Sequence, residues 1–266
     1  MFIHNLDPVI LSLGPFAIRW YGLVYAVGFL GTILFLQYLR TQNKLPLTKD
    51  EIYDLVLYAM IGVLLGSRLF EIFWEPTYYL TNPINILKIW EGGMSFHGGF
   101  TGIIIAVYLY AKKKKLNFLE LADNFTFPTM LALALGRIAN FINGELWGTI
   151  TSSEKTPWCV NFKNTGGGDV CRHPQQLYAA AYRSILAMYF LLLTLKEKFK
   201  SGFIFWNFML LEGIGRFIVD FWREDPRFLS LSLGQYFSAI MIVVAAIILI
   251  KNYRTEWKKI FVSQRS

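Results

Sequence analysis

Residues 136–148 crowd one cation, two amides, one carboxylate and three glycines into a single short segment: Gly136, Arg137, Asn140, Asn143, Gly144, Glu145 and Gly148. A helix end needs one such group as a cap, so this density points to ligand chemistry. Arg137 and Asn140 are three apart and share a helix face. A guanidinium holds phosphate through paired hydrogen bonds. Glu212, Arg216 and Asp220 recur every fourth residue, with Arg223 three further on, and Arg68 stands three before Glu71. Structural ion pairing accounts well for Glu71 and Glu212. It accounts less well for Arg68, Arg137, Arg216 and Arg223, whose excess leaves donors for an anion. In Gly92–Gly99, His97 sits between glycines at a helix start, where an imidazole can exchange a proton near neutral pH. The plainer alternative there is an interfacial histidine bonded to a carbonyl.

The elements that must carry these residues read as membrane helices. Of the 266 residues, 55% are hydrophobic and 17% charged, against about 25% charged in soluble domains. Trp20–Leu39 and Phe228–Ile250 are uncharged and meet the roughly 20 apolar residues that a crossing needs. Five interrupted runs lie between them: Leu55–Trp74, Met94–Ala111, Leu119–Phe141, Pro174–Leu195 and Gly202–Trp222. Backbone amides in lipid must be bonded within their own segment, so these runs are expected to be helices. The fold expected is all-α: a polytopic membrane protein of about seven transmembrane helices, forming one domain over 1–266. Residues 143–173 form a small outer loop region within it.

Lys and Arg follow the first, third, fifth and seventh runs: Arg40, Lys44 and Lys49; Lys112–Lys115; Lys196, Lys198 and Lys200; Lys251, Arg254, Lys258 and Lys259. Cytoplasmic loops carry such an excess, which puts the N-terminus outside and the C-terminus inside. The net charge of +8 then belongs to membrane loops, and no nucleic-acid partner is expected. No short apolar run with a small-residue cleavage site opens the chain, so the first helix is expected to direct its own insertion. Charges within spans cost about 2.5–3.5 kcal/mol each at mid-bilayer. Arg68, Arg137 and Arg216 nevertheless come from separate helices to the outer leaflet, where Arg19, Tyr21 and His97 also stand. Cys159 and Cys171 share the outer loop and are expected to pair there. With His173 they lack zinc-type spacing, so no metal is expected.

The whole chain resembles the bacterial phosphatidylglycerol–prolipoprotein diacylglyceryl transferases. The specific match is Gly136–Gly148, of the form GR-x-x-NF-x-N-x-E-x-x-G. Arg19–Gly22, Gly93–Gly99 and Arg172–Tyr178 agree in order and spacing. The resemblance implies an enzyme of the bacterial inner membrane, multi-pass and without a cofactor, with its site toward the periplasmic leaflet. Its partners would be phosphatidylglycerol, lipobox peptides of prolipoproteins and the bilayer, and a monomer is expected. The implied reaction moves the diacylglyceryl group of the lipid onto the lipobox cysteine thiol and releases glycerol 1-phosphate.

Tyr21, His97, Arg137, Asn140, Glu145, Gly148 and Arg216 match positions the family depends on. Reading residues and resemblance together, His97, Arg137, Arg216 and Tyr21 are expected to be catalytic. Arg137, Asn140, Glu145, Gly148, Arg68 and Arg223 are expected to bind substrate. Departures from the family pattern are Asp220 for a frequent Glu, Glu212 for a common Tyr and Ala139 for a usual Gly. The alternative function is an anion or lipid transporter using the same arginines, which calls for interrupted mid-membrane helices or internal symmetry. A structural assembly factor would leave the Gly136–Gly148 cluster unexplained.

Overall fold

The computed structural model describes residues 2–13, 16–88, 95–196 and 199–261. Its long helices are α1 (Trp20–Thr41), α2 (Lys49–Trp74), α4 (Phe96–Lys114), α5 (Phe118–Asn143), α6 (Gln175–Lys196), α7 (Phe203–Val219) and α8 (Leu233–Asn252). Two short helices, α3 (Pro76–Thr81) and α9 (Glu256–Phe261), complete the α-helices among the described residues. Each of the seven apolar runs overlaps one long helix, and the all-α expectation holds. Five of these, α1, α2, α5, α6 and α8, are long and apolar enough to cross a membrane. The other two fall short: α7 has 17 residues, and α4 carries Lys112, Lys113 and Lys114 in its last turn.

Local chemistry sets the helix boundaries. Thr48 and Glu51 form a capping box at the start of α2, with Thr48 N donating to Glu51 at 2.9 Å. Ser232 and Gln235 repeat the device at α8. Each satisfies amides that the first helical turn leaves orphaned. The N-terminus of α7 is capped from another helix: the Asp123 carboxylate accepts from Gly202 N and Phe205 N, both at 2.7 Å. An anion is stabilised at that helix end.

The chain divides into two compact units, Gly31–Ala122 and a second made of Met1–Leu30 with Asp123–Ser266. In the first, α2 and α4 pack glycine on glycine. A Cβ added at Gly62 would lie 2.6 Å from Gly102 O, one at Gly66 would lie 2.8 Å from Gly102 Cα, and one at Gly98 would collide with Gly66 O. Two glycine pairs spaced four apart thus let the backbones touch, the close approach that drives helix association where lipid removes the hydrophobic driving force.

In the other unit, a small cap of strands lies over the helix ends. Strand β1 (Phe2–Ile3) pairs in parallel with β4 (Val160–Asn161), which pairs antiparallel with β5 (Cys171–Arg172). Strands β2 (Val9–Leu13) and β3 (Phe16–Arg19) form a hairpin leading into α1, and β6 (Arg227–Phe228) with β7 (Leu231–Ser232) a second one before α8. His4 is fully buried; its Nε2 lies 2.7 Å from Phe141 O, and its N–H donates to Asn161 O at 2.8 Å.

Cys159 and Cys171 are joined, with Cα atoms 5.6 Å apart. Closing a 12-residue separation stabilises by about 3 kcal/mol in the chain-entropy view. Cys159→Ser should therefore lower the melting temperature by several degrees and leave turnover within about twofold of wild type. Thermal denaturation beside an activity assay checks both; a collapse of activity at full stability would give the bridge a direct part in the reaction.

Candidate functional site

The Gly136–Gly148 segment is the last third of α5 and the turn that follows. Gly144 (φ 65°) and Leu146 (φ 55°) turn the chain back, and Glu145 N donates to Asn140 O at 3.1 Å. The Glu145 carboxylate accepts from Asn140 Nδ2 at 2.6 Å and from Asn143 Nδ2 at 3.4 Å. Both amides of the motif are thus committed to its acid. Gly148 is walled in, since a Cβ there would collide with His173 O and lie 2.8 Å from Trp222 O.

The Arg172–Tyr178 motif builds the support beneath this turn. Arg172 Nε donates to Gly167 O at 2.7 Å and its Nη1 to Gly148 O at 3.0 Å. The same Nη1 pairs with Glu224, and the guanidinium lies over the Trp147 ring. Gln175 Nε2 donates to Leu146 O at 2.6 Å, and Gln176 Nε2 to Glu145 O at 2.7 Å. Main-chain bonds from Thr149 N to Trp222 O and from Glu224 N to Trp147 O tie the segment after α7 to the same turn. His173 Nδ1 lies 3.2 Å from Tyr178 Oη, which accepts from Trp158 Nε1 at 2.7 Å. Burial lowers the His173 pKa from its usual value by disfavouring the charged ring. Among the described residues no cluster of His, Cys, Asp or Glu could hold a metal.

Four arginines gather in this unit. Arg183 is paired with Glu212. Arg216 Nε stands 3.7 Å from Asp220 Oδ2, and Arg223 Nε 3.0 Å from Asp225 Oδ2. Among the described residues Arg137 has no acidic partner, while the charges of Arg183, Arg223 and Arg216 all act on it. Its Nη1 is buried without a hydrogen-bond partner among those residues. A buried donor left so costs about 1–3 kcal/mol, more when charged. An anion there would relieve both the unmet bond and the repulsion.

At 3.7 Å, Arg216 Nε and Asp220 Oδ2 form an ion pair too long for a hydrogen bond between those two atoms. Gly234 makes the room: a Cβ there would lie 2.5 Å from Asp220 Oδ2 and 3.1 Å from Arg216 Nη2. Glu212 is a structural ion pair as expected, and its partner is Arg183 on α6. Arg183, a lone charge inside an apolar run, carries the same signal in the sequence as Arg137. His4 carries none, because its role depends on a strand pairing with residues far along the chain.

Tyr21 lies in the first turn of α1, with its ring 5.5 Å from that of Tyr25. Arg68 and His97 belong to the other unit. The Arg68 guanidinium is taken up there as a clamp on the chain after α3. Its Nε donates to Ile86 O at 2.9 Å, Nη1 to Tyr79 Oη at 3.0 Å and Nη2 to Asn85 O and Lys88 O. His97 starts α4, with Ser95 as N-cap; its side chain, like residues 92–94 of its motif, lies outside the described residues. Of its flanking glycines, Gly98 abuts Gly66 and Gly99 abuts Ser67, both on α2.

The sequence model of the prolipoprotein diacylglyceryl transferases matches residues 8–251. A phosphatidylglycerol–prolipoprotein diacylglyceryl transferase of Cupriavidus metallidurans is 40% identical over 267 aligned positions, covering 96% of each chain. The enzyme of that name from Geobacter sulfurreducens is 39% identical over 89% of each chain. That of Bordetella parapertussis is 40% identical over 91% of this chain and 94% of its own.

Proposed function

This chain belongs to the prolipoprotein diacylglyceryl transferase family, and from that membership we propose that it moves the diacylglyceryl group of phosphatidylglycerol onto the lipobox cysteine of prolipoproteins. The supporting observation is the buried, unpartnered Arg137 Nη1 beside three paired arginines. A cluster with one uncompensated positive charge suits a phosphodiester, which carries a single negative charge. Membership in this family selects the transferase over the transporter.

In the reaction we propose, the cysteine sulfur attacks the glyceryl carbon that bears the phosphate. The C–S bond forms as the C–O bond breaks, and the electron pair leaves with the phosphate as glycerol 1-phosphate. Arg137 and Arg216 meet the charge growing on that phosphate. Asn140, Glu145 and Gly148 form the fixed turn against which the lipid is oriented; Arg223, bridged to Gly148, borders it, and Tyr21 helps to orient the lipid. The thiol, with a pKa near 8.5, is only a few per cent ionised at pH 7, and His97 takes its proton. The reaction faces the outer leaflet of the bacterial cytoplasmic membrane, in keeping with the basic clusters after alternate helices and the joined cysteines.

The test is to incubate purified protein with phosphatidylglycerol and a lipobox peptide and to look for the thioether by mass spectrometry. No product from active-lipid vesicles would sink the proposal. In the same assay His97→Gln should lower turnover about 100-fold while the KM for lipid stays within twofold. Part of the loss should return as pH rises and the thiol ionises unaided. An unchanged pH profile with normal turnover would place the base elsewhere.

A further inference from the structure

Arg183 is the arginine that neither the motif nor the helix stripe marks. It lies in the middle of α6, about 12 Å along the helix from Gln175 at 1.5 Å per residue. It is 2% exposed, and burying an unpaired charge there would be costly. Glu212 of α7 meets it edge-on: Nε lies 3.1 Å from both carboxylate oxygens, and Nη2 pairs with Oε1. Tyr182 Oη donates to the same carboxylate at 3.1 Å, while the guanidinium rests over the Tyr182 ring. Gly215 gives that ring its place, since a Cβ there would lie 2.5 Å from Cε2.

This arrangement fixes the guanidinium and leaves one corner over. Nη1 of Arg183 is buried and has no hydrogen-bond partner among the described residues, as is true of Nη1 of Arg137. The two charges act on each other. A pair built for stability alone would satisfy that corner with a carbonyl, as Arg172 and Arg68 do with theirs. One anion within reach of both would meet the two unmet donors and offset the repulsion.

We infer that Arg183 is a second ligand of the substrate phosphate: its Nη1 and that of Arg137 donate together to the non-bridging oxygens, and Glu212 with Tyr182 holds Arg183 in the orientation this requires. The inference rests on the transferase reading above. Arg183→Lys keeps a charge that can pair with Glu212 but has no Nη1. Arg183→Met/Glu212→Met removes the pair at similar volume, so that neither charge is left buried alone.

Both variants and wild type are placed in phosphatidylcholine nanodiscs. The KM values for phosphatidylglycerol and for lipobox peptide are measured, together with the melting temperature with and without phosphatidylglycerol or glycerol 1-phosphate. One lost charge-assisted hydrogen bond should raise the KM for the lipid about 10- to 100-fold, with the KM for peptide within twofold. The stabilisation that either phosphate gives wild type should disappear. A wild-type KM for the lipid in the double methionine variant overturns the inference and leaves a structural ion pair. So does thermal stabilisation by glycerol 1-phosphate that survives Arg183→Lys. Loss of lipid affinity in Arg137→Lys with normal affinity in both Arg183 variants defeats this inference alone, whereas absence of thioether from wild type defeats the reading beneath it.

Discussion

Arg137→Lys is expected to yield a folded, membrane-inserted protein whose turnover is about 100- to 1,000-fold below wild type, the cost of removing one positioned donor from a developing anion. Lysine keeps the charge and the apolar stem, so the surrounding arginines feel the same repulsion. What it lacks is the planar fork, and the Nη1 that stands buried without a partner among the described residues. A compact ammonium serves an ion pair almost as well as a guanidinium, but it cannot span two phosphate oxygens. Single-turnover kinetics on detergent-purified protein, with circular dichroism to establish folding, separates the two roles. Near-normal turnover would show that Arg137 contributes charge alone. Arg216→Lys should cost less, because Asp220 already holds part of that side chain's charge.

Gly66→Val is expected to reduce the yield of monodisperse protein at least tenfold, with no contribution from the chemistry of the site. Even a single methyl at Gly66 would press on Gly102 Cα and collide with Gly98 O. Overpacking of this kind costs about 1–3 kcal/mol where side chains can shift, and more where, as here, the neighbours are backbone. The control is Gly31→Val on α1, where an added Cβ meets nothing within 4 Å. Fluorescence-detected size-exclusion chromatography of detergent extracts reads both. Equal profiles for the two variants would mean that α2 and α4 separate readily and that the glycine contact contributes little.

The helices were legible because hydrocarbon leaves the backbone no alternative: Trp20–Leu39 and α1 differ by two residues at one end, and Phe228–Ile250 begins in a hairpin that the apolar residues of β6 and β7 disguise as helix. Charged residues inside apolar runs were equally legible as exceptions. Their partners were not, because pairing across helices depends on rotation about each axis. Glu212 and Arg216 stand four apart on one stripe, yet Glu212 turns to Arg183 of α6. Arg68 shows the same limit, since the carbonyls that bind it come from a turn with no acidic residue to announce it. The glycines at 62, 66, 98 and 102 carried a readable signal in their spacing of four. Beside His97, that spacing belongs to helix packing, as the contact of Gly98 with Gly66 of α2 shows.

The strand pairing of Phe2 with Val160 and of Ile3 with Asn161 also bears on the order in which the protein is made. Phe2 and Ile3 find their partner only after some 160 more residues have been added, a delay of roughly ten to thirty seconds at ordinary elongation rates. Through that interval β1 is an unpaired edge and His4 has no Asn161 to bond. Cys159 likewise waits for Cys171. The cap therefore closes late, after α1 through α5 have been synthesised, and the turn at Gly144–Gly148 gains its supports from Arg172, Gln175 and Gln176 in the same step. A nascent chain halted before residue 171 would hold every residue of the Gly136–Gly148 motif and none of the bonds from that motif to Arg172, Gln175 and Gln176.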